Sequence, residues 1–302
     1  MNEPSVGVAI VSYNTAPLLR RCLQSVVADT SGPVLVVDNH STDTSVELVG
    51  SEFPSVRVRA EAENRGYGAA ANLAVAELGT RYVLLLNADT ELTPGTVQAL
   101  AAYLDDHPVV AMAGPRIVTA TGRYESSVHR FPTPMALLLE ESGMRRLLGL
   151  DRRNEWRPRS ADWILGAALV IRRQAFEAVG GFDETYFLYH EEVDLCHRLR
   201  EAGWEIHYTP VATVRHVGGA STSQRAVEAY GQYIRSTQRF ARLRLSRVDT
   251  AGVRAVLAAA LVGRLGREVA QLAWARDPDR RERLRGQTGV WLRGLAALRE
   301  NG

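Results

Sequence analysis

Three acidic residues close together form the group in this sequence best suited to proton transfer. Glu191, Glu192 and Asp194 follow an aromatic-rich stretch at 182–189. Carboxylates crowded into a partly apolar wall raise one another's pKa, which suits a general base. Acids in the first turn of a helix are also stabilised by the helix dipole alone, which is the structural alternative. The segment therefore predicts a candidate base at the start of a helix, without choosing among the three acids.

A second polar pair ends an apolar stretch. Tyr82 to Leu86 contains no charged residue and predicts a strand buried on both faces. Asn87 and Asp89 follow at its carboxyl end, the edge where open α/β sheets bind ligands. A carboxylate there can hold a hard cation against a phosphate. Capping of a helix that begins near Pro94 is the alternative role for Asp89.

The elements that must position these residues alternate regularly before residue 90, which specifies a doubly wound, mostly parallel sheet flanked by helices. Strands are predicted at Val6 to Ser12, Val34 to Val37, Val56 to Arg59 and Tyr82 to Leu86, and helices at 17–28, at 44–51 and up to Gly79. The strands end in polar residues, namely Ser12 and Asn14, Asp38 and Asn39, Asn64, and Asn87 and Asp89. Because neither glycine-rich phosphate loop is present, this shared edge favours a nucleotide bound mostly through its base and ribose. Simple termination of each strand is the alternative.

The middle of the chain loses this regularity. Residues 122–162 are rich in Arg and too long for an ordinary connection, so they predict a lid or acceptor loop, with a solvated loop of no role as the alternative. A strand is predicted from Ile164 to Ile171, directly after Trp163. Its small residues Gly166 and Ala167 would let a ligand approach the backbone.

A histidine follows a further predicted strand, Trp204 to Tyr208. His216 precedes Gly218, Gly219 and Ser221. A histidine at a strand end is often only a hydrogen-bonded surface group. In this setting His216 could instead face a diphosphate or give a nitrogen to a divalent metal.

The composition excludes several classes of protein. With 302 residues, 46% of them hydrophobic, the chain can bury the core of an α/β domain with an appendage. Cys22 and Cys196 are far apart within predicted amphipathic helices, which argues against a disulfide framework or a zinc site and favours buried thiols. The N-terminus lacks a signal-peptide pattern, and the longest apolar run, Ala255 to Gly263, is too short for a bilayer span. We therefore expect a cytoplasmic protein that crosses no membrane.

The C-terminal region differs in charge from the rest. Residues 1–223 carry 20 Arg against 27 Asp and Glu, whereas residues 224–302 carry 16 Arg against 7 acids. Helices are predicted at 230–245 and 250–275, with a break at Pro278. A basic amphipathic helix can lie on an anionic membrane surface, here the inner face of the plasma membrane, and packing on the catalytic domain or in a homodimer is the alternative. Nucleic-acid binding is not favoured, because no recognised module is present.

Six motifs in order carry a resemblance to a known family. They are Val-Ser-Tyr-Asn14, Val-Asp38-Asn-His-Ser-Thr-Asp43, Asn64-Arg-Gly-Tyr-Gly68 through Asn72, Asn87-Ala-Asp89, Gly-Gly-Phe-Asp183 through Glu-Glu-Val-Asp194, and Val-Arg-His216-Val-Gly-Gly-Ala-Ser221. Over Val6 to Ser221 the chain resembles the family-2 inverting glycosyltransferases of the GT-A fold, and within them the rhamnosyltransferases that act on polyprenyl-linked acceptors.

This resemblance implies a catalytic domain at 1–223, with a nucleotide-sugar half at 1–115, an acceptor half at 116–223 and a basic helical extension at 224–302. It implies transfer from a nucleotide-diphosphate sugar to a glycan or polyprenyl-linked acceptor in cell-wall or polysaccharide assembly. L-Rhamnose from dTDP-rhamnose is the first choice of donor, and a UDP-hexose or UDP-N-acetylhexosamine is the alternative. A non-catalytic nucleotide-sugar-binding scaffold is the alternative of another class, whereas a sugar-nucleotidyltransferase would need a glycine-rich, Arg-containing N-terminal loop that is missing.

The resemblance also implies roles for individual residues. Asp38 would bind the pyrimidine of the donor, and the other nucleotide-binding residues would be Ser12, Tyr13, Asn14, Asn39, Asn64, Gly66, Asn72 and Asn87. Asp89 would bind Mg²⁺ or Mn²⁺ together with His216, although Asn87 replaces the first acid of the common Asp-x-Asp pattern. The acceptor would meet Trp163, Gly166 and Ala167. The base is usually the second acid of the paired motif, an Asp in the family and Glu192 here, with Glu191 and Asp194 as alternatives.

Overall fold

The computed structural model describes residues 5–148, 155–217, 226–275 and 277–300. The chain forms two compact units. The first comprises Met1–His129, Arg152–Phe187 and Glu191–Ser221, and the second comprises Arg130–Asp151, Leu188–His190 and Thr222–Gly302. The predicted domain boundary after residue 223 stays a prediction.

Strands and helices alternate through the first unit, and helices build the second. The strands are β1 (Val6–Ser12), β2 (Val34–Asp38), β3 (Arg57–Ala60), β4 (Tyr82–Asn87), β5 (Thr90–Leu92), β6 (Val110–Thr119), β7 (Tyr124–Glu125), β8 (Val128–His129), β9 (Arg159–Ser160), β10 (Trp163–Ile164), β11 (Ala168–Arg172) and β12 (Glu205–His216). The helices are α1 (Ala16–Asp29), α2 (Ser45–Glu52), α3 (Tyr67–Leu78), α4 (Thr96–Asp106), α5 (Pro134–Glu141), α6 (Met144–Leu147), α7 (Arg173–Ala178), α8 (Glu191–Glu201), α9 (Ala226–Arg244), α10 (Arg247–Trp274) and α11 (Pro278–Arg299). Of the helices, α5, α6, α9, α10 and α11 lie in the second unit.

The first unit is built on a central sheet with the order β3-β2-β1-β4-β11-β6-β12-β5, in which β7 pairs with β6 and β9 with β12. The strands β1 to β4 are parallel, as the alternating pattern predicts. Beyond β4 the sheet is mixed, because β11 runs antiparallel to both β4 and β6. The β4 residues from Tyr82 to Leu86 have no exposed surface, which confirms the predicted strand buried on both faces.

Several predicted elements need correction. The strand predicted from Ile164 to Ile171 is wrong, because β10 pairs with β8 in a small separate sheet while β11 joins the central one. The helix expected near Pro94 begins at Thr96, and the unpredicted strand β5 precedes it. The strand predicted at 204–208 is the first part of β12, which continues to His216.

The region 122–162, predicted as a lid or loop, contains regular structure within its described residues. It includes β7, β8 and β9 in the first unit and α5 and α6 in the second. Helix α5 begins where a local signal would place it: Thr133 accepts a hydrogen bond from the backbone N–H of Ala136, and Pro134 occupies the first turn. The region is therefore not a structureless loop.

The second unit has a helical core of its own. In α10, Val253, Leu257 and Leu261 recur at helical spacing and are buried against α5, α9 and α11. This part of α10 therefore packs within its own unit, whereas Val269 and Trp274 are exposed. Packing on the catalytic domain or in a homodimer stays a prediction. Within the described residues, no helix is both long and apolar enough to cross a bilayer.

Both cysteines are free and buried, as predicted. Cys22 lies in α1 and Cys196 in α8. Burial disfavours the thiolate and raises the pKa of each thiol to about 12. Neither side chain is therefore a nucleophile at neutral pH.

Candidate active site

The carboxyl ends of three parallel strands meet at one edge of the sheet. Ser12 pairs with Asp38, and Val11 pairs with Asn87. Asp38 is 1% exposed, and its two carboxylate oxygens accept hydrogen bonds from the backbone N–H (2.8 Å) and the hydroxyl (2.6 Å) of Ser41. This turn fixes the Asp38 carboxylate at the edge where the nucleotide is predicted.

Two of the predicted amides shape the loop before α3. The Asn39 amide nitrogen donates to the Gly66 carbonyl at 3.0 Å, and the Asn64 side-chain oxygen accepts from the Gly66 N–H at 3.0 Å. Gly66 has a φ of +91°, and a Cβ at this position would overlap the Phe187 carbonyl oxygen. Only glycine suits this backbone and this close approach.

The remaining nucleotide candidates differ in what they contact. The Asn14 side-chain oxygen accepts from the Thr42 N–H at 2.7 Å, and Tyr13 beside it in the chain is partly exposed. Asn72, in α3, uses its amide on the backbone of Phe182, accepting from the N–H at 2.8 Å and donating to the carbonyl at 2.9 Å. The Asn72 amide therefore braces the loop that leads to the predicted base.

Asp89 and His216 come together because β5 pairs with the end of β12, opposing Thr90 to His216. The Val217 N–H donates to the Asp89 carbonyl at 2.9 Å, and His216 Nε2 lies 3.5 Å from Asp89 Oδ1. His216 Nδ1 faces the Glu125 carboxylate at 3.1 Å. The ring thus joins two carboxylates. Gly218, Gly219 and Ser221 lie outside the described residues.

The two carboxylates control the charge of His216. Burial disfavours the imidazolium, but the hydrogen bonds and negative charges of Asp89 and Glu125 outweigh that effect and raise the pKa of His216 to about 9. Within the described residues, no group of three or more His, Cys, Asp or Glu side chains has the arrangement of a metal site. Asp89 and His216 still offer the oxygen and nitrogen donors that Mg²⁺ and Mn²⁺ accept, and such ions commonly take further ligands from substrate phosphates.

The predicted acceptor residues have three different neighbours. The Ala167 carbonyl accepts from the Asn87 N–H at 3.0 Å. Gly166 adjoins Glu192, since a Cβ built on Gly166 would lie 3.8 Å from the Glu192 carboxyl carbon. The Trp163 ring stacks on His129, with ring centroids 4.3 Å apart. The short segment 166–167 therefore contacts Asn87, two residues before Asp89, and Glu192 of α8.

The three acids of α8 have different surroundings. Asp194 has no exposed surface, and its carboxylate accepts from Arg198 at 2.7 Å. Arg198 also donates to the carbonyls of Val179 and Gly181, so this ion pair holds the loop before the helix. Glu191 is 6% exposed, whereas Glu192 is partly exposed. Glu192 is the acid of the three that combines exposure with contact to the acceptor segment.

Sequence reasoning missed two residues of the site, Glu125 and Tyr67. Glu125 reaches His216 because β7 folds back on β6, where it pairs with Ile117, and β6 in turn pairs with β12. Tyr67 was read only as part of a glycine-rich turn, but it is the first residue of α3 and its ring packs edge-on against Phe182, with centroids 6.1 Å apart. Gly122 is a turn residue between β6 and β7, but no local signal in the sequence indicates that Glu125 contacts His216 or that Tyr67 contacts Phe182.

A family model supplies the deciding comparison, because the Glycosyl transferase family 2 model matches residues 7–180. The chain belongs to glycosyl transferase family 2. It is therefore a glycosyltransferase, as the six motifs predict. The polar sheet edge from Ser12 to Asp89 lies within the matched residues.

Two curated relatives of this family-2 glycosyltransferase are rhamnosyltransferases. The N-acetylglucosaminyl-diphospho-decaprenol L-rhamnosyltransferase of Mycobacterium tuberculosis is 34% identical over 258 residues, which cover 77% of this chain and 82% of the relative. Rhamnosyltransferase WbbL of Escherichia coli is 23% identical over 248 residues, covering 78% of this chain and 92% of its own.

A solved structure confirms the fold class. The mannosyltransferase PcManGT from Pyrobaculum calidifontis, in complex with GDP-Man and Mn²⁺, superposes with a TM-score of 0.56 at 19% sequence identity and covers 99% of this chain and 87% of its own. At that identity the likeness concerns the fold alone. The family-2 glycosyltransferase accordingly has a GT-A-like fold with a C-terminal helical region.

Proposed function

We propose that this glycosyltransferase moves a sugar, with inversion, from a nucleotide diphosphate to an acceptor hydroxyl, with Glu192 as the base and Asp89 at the departing diphosphate. The observation that carries the proposal is the position of segment 166–167. Ala167 is hydrogen-bonded to Asn87, two residues before the proposed metal ligand Asp89, and Gly166 adjoins the Glu192 carboxylate. A base and a charge-stabilising edge on opposite sides of one small segment suit a single displacement.

The proposed chemistry follows from these places. Glu192 takes the proton of the acceptor hydroxyl as that oxygen bonds to the anomeric carbon. The bond from this carbon to the diphosphate oxygen breaks, and its electron pair leaves with the diphosphate, so configuration inverts. A positioned base typically contributes about 10²–10⁴ in rate. Because Gly166 has no side chain, the space facing the Glu192 carboxylate stays free for the acceptor.

Asp89 and, after loss of a ring proton, His216 are the residues that would hold a divalent cation, Mg²⁺ or Mn²⁺. Such an ion, when bound, neutralises charge on the departing diphosphate. The donor set suits this role, since a carboxylate oxygen and an imidazole nitrogen leave the other coordination positions to phosphate oxygens. The neighbouring Asp38, Asn39 and Asn64 would then bind the nucleoside at the same edge.

We propose L-rhamnose from dTDP-rhamnose as the donor group and a polyprenyl-linked glycan as the acceptor, with UDP-hexose and UDP-N-acetylhexosamine donors as the alternative. The support is the M. tuberculosis relative, whose name joins a rhamnosyl group to a diphospho-decaprenol, together with the E. coli rhamnosyltransferase. A membrane-surface position would bring such an acceptor to the enzyme. In the second unit Leu147 is 85% exposed and Trp274 86% exposed. Residues 224–302 also carry an excess of Arg, which would favour an anionic surface.

A thermal-shift panel with dTDP, UDP, GDP and ADP, each with and without Mn²⁺, tests the donor site. A ligand at about 100 times its Kd stabilises the fold by about 2.7 kcal/mol, which such a panel resolves. We expect the largest shift with dTDP, and we expect Asp89→Asn to remove its Mn²⁺-dependent part. A larger shift with UDP would contradict the dTDP donor, and no shift with any nucleotide would contradict the proposed donor site.

Co-sedimentation with lipid vesicles tests the membrane position. We expect binding to vesicles rich in anionic lipid and weaker binding of the Leu147→Ser, Trp274→Ser double variant. Val211→Ser is the matched control, because Val211 is an exposed apolar residue (48%) of the first unit. Binding that ignores both the anionic lipid and the double substitution would contradict this position.

A further inference from the structure

The two glutamates at the start of α8 differ in their access to water, since Glu192 is partly exposed. Glu191 is 6% exposed, and its Oε2 atom is fully buried without a hydrogen-bond partner among the described residues. The hydroxyl of Tyr67 is also buried without a partner in that part of the chain. An ionised carboxylate in such a place would be costly, because a hydrogen bond from the Glu191 backbone N–H offsets only part of the cost of burial.

A close approach of α3 and α8 encloses Glu191. A Cβ on Gly68 would lie 3.7 Å from the Glu191 Cβ and 3.1 Å from the Phe182 Cβ, so glycine lets the two helices meet here. Tyr67 precedes Gly68 and packs its ring against Phe182. The first turn of α3 therefore covers the first turn of α8 at Glu191.

A second negative charge lies beside Glu191. Burial and then the neighbouring Glu192 carboxylate raise the pKa of Glu191 well above its usual value. Burial and the charges of Glu191 and Glu192 likewise raise the pKa of the Tyr67 phenol. The cation nearest in sequence, Arg198, pairs with Asp194 instead. A proton on Glu191 is the group that removes this repulsion.

We propose that Glu191 keeps a proton throughout the reaction, enclosed by Tyr67, so that Glu192 carries the only negative charge of the pair and is its only base. This role for Glu191 rests on the proposed transfer reaction and deepens it. Glu191 is then a positioning residue that keeps a second charge away from Glu192. The acceptor proton goes to Glu192 and leaves through its exposed side, while the Glu191 proton does not move.

Two isosteric substitutions in the full chain separate the glutamates, because glutamine imitates a protonated glutamate and not an ionised one. We expect Glu191→Gln to lower kcat far less than Glu192→Gln does, because the amide imitates the protonated acid. We expect Glu192→Gln to lower kcat by about 10²–10⁴. A loss in Glu191→Gln as large as in Glu192→Gln would overturn the role of Glu191 and leave the transfer reaction standing. Near-normal turnover of Glu192→Gln would instead overturn the proposed base.

An infrared difference spectrum reads the Glu191 proton without any turnover. At neutral pH, subtracting the Glu191→Gln spectrum from that of the unaltered protein should leave a carboxylic-acid C=O band. Tyr67→Phe keeps the packed ring and removes the hydroxyl, so it should shift that band while melting close to the unaltered protein. A carboxylate pair of bands in place of the acid band would overturn the proposal, and an acid band that ignores Tyr67→Phe would remove Tyr67 from it.

Discussion

The first unit contains two groups of carboxylates, and they differ in what lies between their members. At Asp89 and Glu125, the imidazole of His216 bridges the acids, and its pKa rises to about 9. At Glu191 and Glu192 it is the pKa of Glu191 that rises, because this residue is buried beside the second carboxylate. The comparison teaches that a shared cation relieves repulsion at the first group, whereas at the second we propose that a proton does so.

Removing the proposed catalytic carboxylate of the second group, Glu192, should have the largest effect. We expect Glu192→Gln to lower kcat by about 10²–10⁴, because the acceptor hydroxyl loses its base. Glu192→Asp keeps a carboxylate that is one methylene shorter, so we expect it to retain more activity than the glutamine variant. Steady-state transfer assays with both variants check this order, and the reverse order would contradict it.

Replacing Asp89, the proposed metal ligand of the first group, should have the second-largest effect on the transfer rate. We expect Asp89→Asn to lower the transfer rate by at least about a hundredfold, since the departing diphosphate loses its proposed cation. Glu91→Gln is a matched control two residues away, where the carboxylate pairs with Arg21 at 2.6 Å and with Arg215 at 3.6 Å. Equal rates for the two variants, measured across a Mn²⁺ titration, would contradict the role of Asp89.

Replacing His216 should leave Asp89 and Glu125 without the imidazolium that they share. Because the pKa of His216 is raised to about 9 in the fold, its charge stabilises the fold fully below the usual value of 6.5, and this stability is lost as the pH rises through about 9. We therefore expect His216→Gln to lower Tm most near about pH 6 and least near about pH 10 in chelator-treated protein. A Tm difference that grows with pH would have the wrong sign.

The smallest effect should come from Glu125, the acid that sequence reasoning missed. Glu125→Gln leaves His216 with one carboxylate instead of two, so we expect the pKa of His216 to fall toward its ordinary value while transfer changes by only about threefold. The NMR pH titration of the His216 ring, assigned by comparison with His216→Gln, measures this. An unchanged titration midpoint would show that Asp89 alone controls the ring.

Local patterns predicted the half of the first unit in which sequence neighbours are also neighbours in space. The strand at Val34 to Val37 and the apolar stretch before Asn87 were both visible as short apolar runs. The antiparallel insertion of β11 between β4 and β6 was not predictable, because it depends on strands far apart in the chain. The three-residue strand β5 is too short to show a pattern, although it brings Asp89 to His216.

The same limit applies to the site. Residue type and position selected Asp89, His216 and Glu192, and the structure pairs His216 with Asp89 and brings Glu192 against Gly166. The sequence did not reveal that the Asn72 amide is hydrogen-bonded to the Phe182 backbone, or that Asp194 is paired with Arg198. Amides and carboxylates that fasten loops have the same composition as those that bind ligands, so only their hydrogen-bond partners separate the two.

Because both native thiols are buried, the protein can be labelled at an introduced cysteine without first removing its own cysteines. Cys22 and Cys196 are the only cysteines in the sequence, and a pKa of about 12 leaves almost no thiolate in either at neutral pH. A cysteine introduced at the exposed Val211 or Trp274 would therefore be the residue that a maleimide dye reaches in the folded enzyme. Fluorescence could follow donor binding in one unit and vesicle binding in the other without deleting a native side chain.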